Sequence, residues 1–127
     1  MIEVRLIEGK GRGVFTTKKI KKGEYIEICL MIVLPPKDRK LIDKTFIFNY
    51  YFLWNDNLKS SAIALGYGSL YNHSYSANAI YESYYEEQEI HIKAHRDIEA
   101  GEEITINYNC EPDSKELVWF DKIVVDK

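Results

Sequence analysis

Residues 72–79 read NHSYSANA and crowd amide, imidazole and hydroxyl side chains into one short segment. Such a segment suits neither a strand core nor a helix interior, because Asn and Ser side chains compete for nearby backbone groups. One interpretation is a polar surface turn. The other is a site at which the backbone leaves regular structure to meet a ligand. The rest of the chain has to decide between them.

Length and composition predict one globular domain, residues 1–127. Hydrophobic residues make up 46% of the chain and charged residues 29%, as in ordinary soluble domains. A chain of 127 residues can bury a core without disulfides or a metal. The net charge is −3 and no basic cluster is apparent, which argues against nucleic acid as a partner.

Nothing in the sequence indicates secretion or a membrane. The amino terminus carries charges throughout, unlike a signal peptide, and no apolar run approaches the roughly 18 residues of a membrane span. Cys29 and Cys110 have neither metal-ligand spacing nor the number of a disulfide framework, so we expect free thiols and no metal site. These features predict a cytoplasmic protein, or one acting in a host nucleus if the chain is viral or a secreted effector.

Hydrophobic patterning predicts short strands separated by turns. A first strand is expected around Val4 and Leu6. The continuous apolar run in EYIEICLMIVL predicts a second strand over 24–34, buried on both faces. Residues 37–54 suggest a short helix that gives way to an aromatic strand over 46–52.

The second half of the chain predicts a hairpin and a last strand. The hairpin joins 79–85 to 89–95, and the last strand covers 103–108. Alternation along the second hairpin strand predicts an inner face and an outer face. The inner face would carry Ile90, Ile92 and Ala94, and the outer face His91, Lys93 and His95.

One pattern, I-x-x-G-E-x-I-x-I, occurs twice, at 20–28 and 98–106. Each copy predicts a glycine turn that leads into an alternating strand, since glycine adopts the positive φ that other residues resist. The two copies indicate one turn type used twice and no repeat architecture.

Single motifs are weak on their own. The GRG at 11–13 favours a tight turn over a ligand loop, and it lacks the third glycine and following helix of a dinucleotide fingerprint. Asn72, His73 and Ser74 are adjacent in the chain, and adjacent side chains do not normally form a catalytic triad. No G-x-S-x-G elbow supports a serine hydrolase either.

Three motifs in order are more specific. GRGVF at 11–15, LGYGSLYNHSYSANA at 65–79 and GEEITINY at 101–108 together resemble the SET-domain family of protein lysine methyltransferases. The resemblance extends from about residue 3 to residue 109 and is closest to short stand-alone viral and bacterial members. It implies a mainly β SET fold of short curved sheets with few short helices and a C-terminal, pseudoknot-like threading. Residues 3–109 would form the motif-bearing core and residues 110–127 a tail that closes the site.

The resemblance implies S-adenosylmethionine as the cofactor. Gly11, Arg12 and Gly13 would approach it through backbone groups, with the glycines allowing close passage. Asn72 would contact its amino acid end. His73 would contribute mainly backbone hydrogen bonds near the adenine.

The same resemblance implies a catalytic site lined by tyrosines. Tyr108 matches the active-site tyrosine, beside the cofactor, and Tyr50 matches an aromatic residue that lines the lysine channel. Tyr67 is expected near that channel. Ile106 stands where many relatives carry Phe or Tyr, a position that helps set the number of methyl groups, so mono-, di- or trimethylation stays open. Further departures are Ala77 for a common Pro, Asn107 for a common Asp, and Cys110 where larger relatives have a cysteine cluster.

Alternatives to a lysine methyltransferase remain open at this stage. A SET fold can serve as a binding or scaffolding module with little catalysis, and an unrelated hydrolase could use His73 and Ser74. The substrate would be a lysine-containing protein or peptide. Histone tails are the usual substrate of the family, and ribosomal or other cytosolic proteins are the other candidates. Short viral relatives form homodimers, so a homodimer is also expected.

The tail offers a last prediction. It carries Leu117-Val118-Trp119-Phe120 after a polar stretch, which suggests a short helix from about Ser114 that docks on the core. Trp119 or Phe120 would pack on the adenine or close the substrate channel, because a flat ring buries much area at little entropic cost. Deleting 114–127 should then weaken cofactor binding more than it lowers the melting temperature of the cofactor-free protein.

Overall fold

The computed structural model describes residues 1–9, 11–55, 57–108 and 115, and these form the mainly β architecture that the sequence predicts. One short α-helix, α1 (Arg39–Ile42), interrupts the strands. The strands are β1 (Ile2–Ile7), β2 (Gly11–Thr16), β3 (Tyr25–Leu34), β4 (Phe52–Trp54), β5 (Ser60–Ala64), β6 (Asn72–His73), β7 (Ala79–Tyr84), β8 (Glu89–Ala94) and β9 (Glu103–Ile106).

The first sheet has the strand order β1-β2-β9-β6 and carries the three sequence motifs. The β6 strand runs parallel to β9, with Asn72 opposite Thr105 and His73 opposite Ile106. The opening segment therefore begins as a two-residue strand, where a turn was expected. The GRG loop likewise belongs to β2, which pairs antiparallel with β9. This sheet brings three distant parts of the chain together at one edge.

The second sheet, of order β4-β5-β3-β8-β7, curls until its edge strands meet. Phe52 on β4 packs edge-to-face on Tyr81 of β7, with ring centroids 5.3 Å apart. Trp54 and Tyr85 repeat the contact at 4.9 Å. Sheets twist by their nature, and aromatic pairs of this geometry add about 0.5–1.5 kcal/mol each beyond area burial. A cavity lies along this seam between the two edges.

The pattern that occurs at 20–28 and 98–106 is confirmed as a glycine turn used twice. Gly23 and Gly101 adopt φ angles of 89° and 86°, as the turns require. Ile20 and Ile98, the first residues of the two copies, bond to each other through both backbone groups at 2.8 Å. Both isoleucines are buried. The two copies thus tie the start of β3 to the segment that leads into β9.

The prediction that residues 24–34 are buried on both faces is wrong. Cys29 and Met31 face the core, but Ile28, Leu30 and Ile32 are 55%, 59% and 51% exposed. An unbroken apolar run normally indicates a strand covered on both sides. Within the described residues, nothing covers this side of β3, so the run encodes one core face and one exposed apolar face.

The aromatic strand expected over 46–52 is also wrong. After α1, residues Phe46–Asn49 form a 3-10 turn, and only Phe52–Trp54 pair as a strand. Polar side chains explain the difference, because they bond to nearby carbonyl groups and favour turns over strands. Thr45 Oγ1 donates to the Ile42 carbonyl oxygen at 2.7 Å, and Asn49 Nδ2 donates to that of Phe46 at 3.2 Å. The helix predicted before them is present.

The predicted hairpin is confirmed as β7 and β8, and Ile90, Ile92 and Ala94 point into the core. The last strand ends at Ile106, two residues earlier than expected. The C-terminal threading and the helix predicted from Ser114 lie outside the described residues. No helix within the described part of the chain is long and apolar enough to cross a membrane.

Candidate functional site

The opening segment uses its polar side chains to join strands, beginning with Asn72. Its side-chain Nδ2 donates to the backbone oxygen of Arg12 at 2.9 Å and to Glu103 Oε2 at 2.8 Å. One amide therefore links the GRG strand, its own strand and β9. The Glu103 carboxylate holds Asn72 in place, and sequence reasoning had not assigned Glu103 a role.

Gly13 suits this close packing. A Cβ added there would lie 2.6 Å from Glu103 Oε2, closer than non-bonded atoms approach, and 3.1 Å from Asn72 Nδ2, so both side chains would have to shift. Glycine lets the backbone pass the amide without a clash. The second glycine of GRG thus has a packing reason, and Gly11, at φ 92°, has a conformational one.

His73 and Asn78 secure the strand that leads to Tyr108. His73 Nδ1 accepts a hydrogen bond from the Tyr108 backbone N–H at 3.0 Å, which fixes the end of β9. Asn78 Nδ2 donates to the Glu103 carbonyl oxygen at 2.8 Å, and Asn78 Oδ1 accepts from the Thr105 N–H at 2.9 Å. The buried Asn78 side chain thus bonds to β9 much as a neighbouring strand would.

Tyr108 is anchored by its side chain as well. Its hydroxyl donates to the backbone oxygen of Tyr71 at 2.8 Å. Burial, and to a lesser degree the nearby Tyr50 and Glu103, raise the pKa of Tyr108 to about 12. The hydroxyl therefore stays protonated at neutral pH, so it can donate a hydrogen bond but cannot serve as a phenolate base.

Two cavities meet beside Tyr108. The smaller one, of about 200 Å³, is lined by Gly11, Arg12, Asn49, Tyr50, Ser69, Leu70, Asn72 and Tyr108. The larger one, of about 770 Å³, is lined by Phe48, Asn49, Tyr50, Tyr51, Phe52, Leu53, Leu58, Gly68, Ser69, Tyr71, Tyr81, Ser83, Tyr85, Ile106 and Tyr108. They share Asn49, Tyr50, Ser69 and Tyr108 as a common wall. The two cavities are therefore direct neighbours at this wall.

The smaller cavity has the donor set that an amino acid end requires. The side-chain oxygen of Asn72 and the Arg12 carbonyl oxygen can accept hydrogen bonds from an ammonium group, and the Asn49 amide, the Arg12 guanidinium and the Ser69 hydroxyl can donate to a carboxylate. Its volume falls below the roughly 300–1,000 Å³ of pockets that enclose a whole ligand of drug size. The described residues thus fit the methionine part of S-adenosylmethionine.

The larger cavity has the lining that an aliphatic stem with a polar end requires. Most of its wall is aromatic, and Tyr50 and Tyr108, at the wall shared with the smaller cavity, carry hydroxyl groups. Ile106, predicted for the substrate channel, lies in this wall. Tyr67, predicted near the channel, lines neither cavity and instead packs against the core behind it.

A buried network behind the cavity escaped the sequence analysis. Glu27 Oε1 accepts a hydrogen bond from the Tyr71 hydroxyl at 2.7 Å, and Glu27 Oε2 accepts one from the Tyr67 backbone N–H at 2.9 Å. Burial, and then the Glu27 charge, raise the pKa of Tyr71 well above its usual range and that of the Cys29 thiol to about 12. Glu27 therefore accepts hydrogen bonds from two neutral donors and holds residues 67–71 in place. The carbonyl oxygen of Tyr71, at the end of this segment, accepts the hydrogen bond from the Tyr108 hydroxyl. The only sequence signal for it was an acidic residue at an inward position of β3.

We expect Glu27→Gln to lower kcat by about tenfold while leaving cofactor affinity unchanged, because small displacements at a reacting site are costly. The glutamine oxygen can still accept from the Tyr67 N–H, but its amide nitrogen must donate to the Tyr71 hydroxyl, so a charge-assisted bond from that hydroxyl is replaced by a weaker, reversed bond between neutral groups. Steady-state kinetics on peptide and cofactor would measure both effects. Glu24→Gln, at an exposed glutamate near the start of β3, is the matched control. A Glu27→Gln enzyme with wild-type kcat would contradict this role.

The remaining predicted site residue is Trp119, which lies outside the described residues. Within the described part of the chain, no group of three or more His, Cys, Asp or Glu side chains is placed to hold a metal ion.

The chain is similar to known proteins over most of its length. A SET-domain family model matches residues 11–109. A histone-lysine N-methyltransferase of Schizosaccharomyces pombe, specific for lysine 37 of H3, is 27% identical over 94% of this chain and 77% of its own. The N-lysine methyltransferase KMT5A-A of Danio rerio is 32% identical over 83% of this chain, which spans only 34% of that protein.

A solved structure extends the likeness to three dimensions. The crystal structure of a candidate histone methyltransferase from Plasmodium falciparum superposes with a TM-score of 0.65 at 30% identity, covering 85% of this chain and 96% of that one. The matched residues 11–109 contain the GRG strand, β6 and Tyr108. The chain therefore belongs to the SET-domain family and is a protein-lysine N-methyltransferase.

Proposed function

We propose that the protein transfers a methyl group from S-adenosylmethionine to the side-chain amine of a protein lysine. The observation that carries this proposal is the common wall of the two cavities. A polar cleft suited to an amino acid end and an aromatic pocket suited to an aliphatic stem meet at Tyr50 and Tyr108. Methyl transfer needs this arrangement, because donor and acceptor must approach in line.

The smaller cavity would hold the cofactor through residues of β2 and β6, beside Tyr108. Asn72 and the Arg12 backbone form its floor, and Gly13 allows the loop to pack against them. The cofactor supplies a methyl group activated by attachment to a positively charged sulfur. The protein's part is to hold that end of the ligand against the wall shared with the larger cavity.

The larger cavity would prepare the lysine. An exposed lysine has a pKa near 10.4, yet only the neutral amine can accept a methyl group. Transfer into an aromatic pocket beside a positive sulfur disfavours the charged form, through desolvation and like-charge repulsion together. Aromatic faces hold the stem, and the neutral Tyr108 hydroxyl orients reacting groups without taking their proton.

Calorimetry separates this proposal from its alternatives. The folded protein should bind S-adenosylmethionine, and Arg12→Ala, at the wall of the smaller cavity, should weaken the binding. An unrelated hydrolase based on His73 and Ser74 would need no such cofactor. A binding module would bind peptide without turnover. Folded protein that shows no heat of cofactor binding would refute the proposal.

Histone tails are the substrate class we propose first. Two of the similar proteins are named as histone methyltransferases, and one of these names specifies a lysine of H3. The chain's net charge of −3 is compatible with a basic peptide. Incubation with a labelled cofactor and a panel of histones and cell lysate, followed by mass spectrometry, would identify the modified lysine and the number of methyl groups that Ile106 permits.

We also propose a homodimer formed through the exposed face of β3. Ile28, Leu30 and Ile32 form a row on this face, with Leu65 also exposed beside Leu30. The row is symmetric about Leu30, so a twofold axis there places Ile28 of one copy against Ile32 of the other. Self-complementary patches of this kind are typical of twofold dimers. Exposed apolar patches also commonly mark association sites.

We expect Leu30→Glu to convert the dimer to a monomer, because it places two carboxylates at the twofold axis. Light scattering at high micromolar concentration would report the mass. Leu6→Glu, at an exposed leucine on β1, is the matched control and should leave the dimer intact. A monomeric wild-type protein would show that the chain's own carboxyl-terminal residues, or nothing, cover this face.

A further inference from the structure

The larger cavity offers more room than one lysine side chain can fill. Its volume of about 770 Å³ is that of pockets that enclose entire ligands, roughly 300–1,000 Å³. A lysine side chain is a single aliphatic stem with an amine at its end. If the stem reaches the wall at Tyr108, the part of the cavity toward β4 stays available to other groups of the substrate.

The available part is bordered by exposed apolar side chains. Phe48, Leu53 and Leu58 line the cavity and are 39%, 43% and 46% exposed; we call these three residues the apolar rim. They come from the 3-10 turn, from β4 and from the turn after β4. Three separate segments thus contribute an apolar side chain each to one opening.

Leu58 adopts a backbone conformation that does not suit leucine. Its φ is +56°, in the left-handed region that favours glycine and asparagine. Two hydrogen bonds maintain it: the Leu58 N–H donates to the Asn55 oxygen at 2.9 Å, and Arg39 Nη1 donates to the Leu58 oxygen at 3.1 Å. A glycine would adopt this turn without strain, so what leucine adds here is a side chain at the cavity opening. Strained residues of this kind cluster at ligand sites.

Two charged side chains near the apolar rim, Arg39 and Asp43, help to fix its shape. Arg39 Nε donates to the Tyr51 hydroxyl at 3.1 Å, and that hydroxyl donates to Asp43 Oδ1 at 2.7 Å. The Arg39 guanidinium thereby connects the turn that carries Leu58 to Tyr51 in the cavity wall. The surface that these bonds hold toward the cavity is aromatic and aliphatic.

We infer that the apolar rim is a specificity subsite that takes a large aliphatic or aromatic side chain of the substrate adjacent to the target lysine. The substrate class is then a peptide segment in which an apolar residue flanks the lysine. This inference rests on the proposed lysine methylation. It adds that Phe48, Leu53 and Leu58 select among lysines by the residue beside them.

The test compares three peptides that are identical except beside the lysine, where they carry leucine, serine or arginine. Wild-type protein should show kcat/KM about tenfold or more higher with the leucine peptide than with the serine peptide, the usual effect of filling a hydrophobic subsite. Direct binding of the same peptides, followed by fluorescence anisotropy, should give the same order.

Leu58→Gly distinguishes a binding role from a structural one. The substitution removes the side chain and relieves the left-handed strain, so the melting temperature should stay equal or rise. The preference for the leucine peptide should nevertheless fall several-fold. Gln88→Gly, at φ +54° in the β7–β8 turn, relieves the same strain outside the cavity and is the matched control. It should leave the preference unchanged.

Two results would overturn the inference. One is equal or better activity and binding with the arginine or serine peptide, which would mean that the apolar rim meets the chain's own carboxyl-terminal residues or a second copy. The other is a leucine preference that survives Leu58→Gly. If no peptide is methylated, the proposed function fails, and the order of peptide binding alone decides whether the apolar rim is a subsite.

Discussion

Tyr108→Phe should lower kcat by about 10²-fold or more while leaving the fold and cofactor affinity intact. The hydroxyl donates to the Tyr71 carbonyl oxygen at 2.8 Å, and this bond fixes the ring at the wall shared by both cavities. Losing a hydrogen bond that positions groups at a reacting centre typically costs this much in rate. Single-turnover rates at saturating cofactor and peptide would measure the loss.

The pH dependence of the same variant separates positioning from base catalysis. The Tyr108 pKa, raised by burial to about 12, keeps the hydroxyl neutral well above neutral pH. The rate of methyl transfer should therefore rise with pH in the same way in wild type and in Tyr108→Phe, because this rise reports deprotonation of the substrate lysine. A rise with pH that is present in wild type and absent in the variant would mean that Tyr108 itself acts as the base. A near-normal rate in Tyr108→Phe would remove the residue from the catalytic site.

Asn72→Ala should act on cofactor affinity first. The amide joins the Arg12 carbonyl oxygen and the Glu103 carboxylate, and its loss leaves that carboxylate without this partner beside the cofactor cleft. Losing a hydrogen-bonding side chain at the cleft that would hold the cofactor's amino acid end should cost about 1–3 kcal/mol of binding free energy, roughly a 5- to 150-fold weaker dissociation constant. Calorimetry with S-adenosylmethionine would measure it.

The kinetic signature of Asn72→Ala should therefore differ from that of Tyr108→Phe. Saturating cofactor should restore most of the rate in Asn72→Ala and none of it in Tyr108→Phe. Asn57→Ala removes an exposed amide in the turn before β5 and serves as the control. Unchanged cofactor affinity in Asn72→Ala, with folded protein, would contradict the placement of the cofactor's amino acid end.

The sequence predicted those parts of the site that local patterns encode. Asn72 and the GRG loop were recognisable as motifs, and the structure brings both to one cleft with Tyr108. The paired glycine turns were also predictable, since Gly23 and Gly101 sit in the same nine-residue pattern. Local chemistry determines such features, so a single sequence contains the information.

The parts that escaped prediction depend on contacts between distant residues. Glu27 bonds to Tyr71, forty-four positions away, and no sequence pattern around either residue predicts that the two are in contact. The apolar run of β3 predicts burial on both faces, because the sequence of a strand alone does not show whether another part of the protein covers each face. The segment 46–52 has strand-like composition, yet side-chain bonds to its backbone turn it into a 3-10 element and a short strand.

The most direct test of the central claim is a methyl-transfer experiment with S-adenosylmethionine deuterated at the methyl group. The folded protein, the cofactor and a lysine-containing histone peptide are incubated together, and the peptide is sequenced by tandem mass spectrometry. The account predicts a deuterated methyl group on a lysine side-chain nitrogen, present with wild type and nearly absent with Tyr108→Phe. A protein that binds the cofactor but leaves every lysine unlabelled across histones and cell lysate, or that labels another type of side chain, would contradict it.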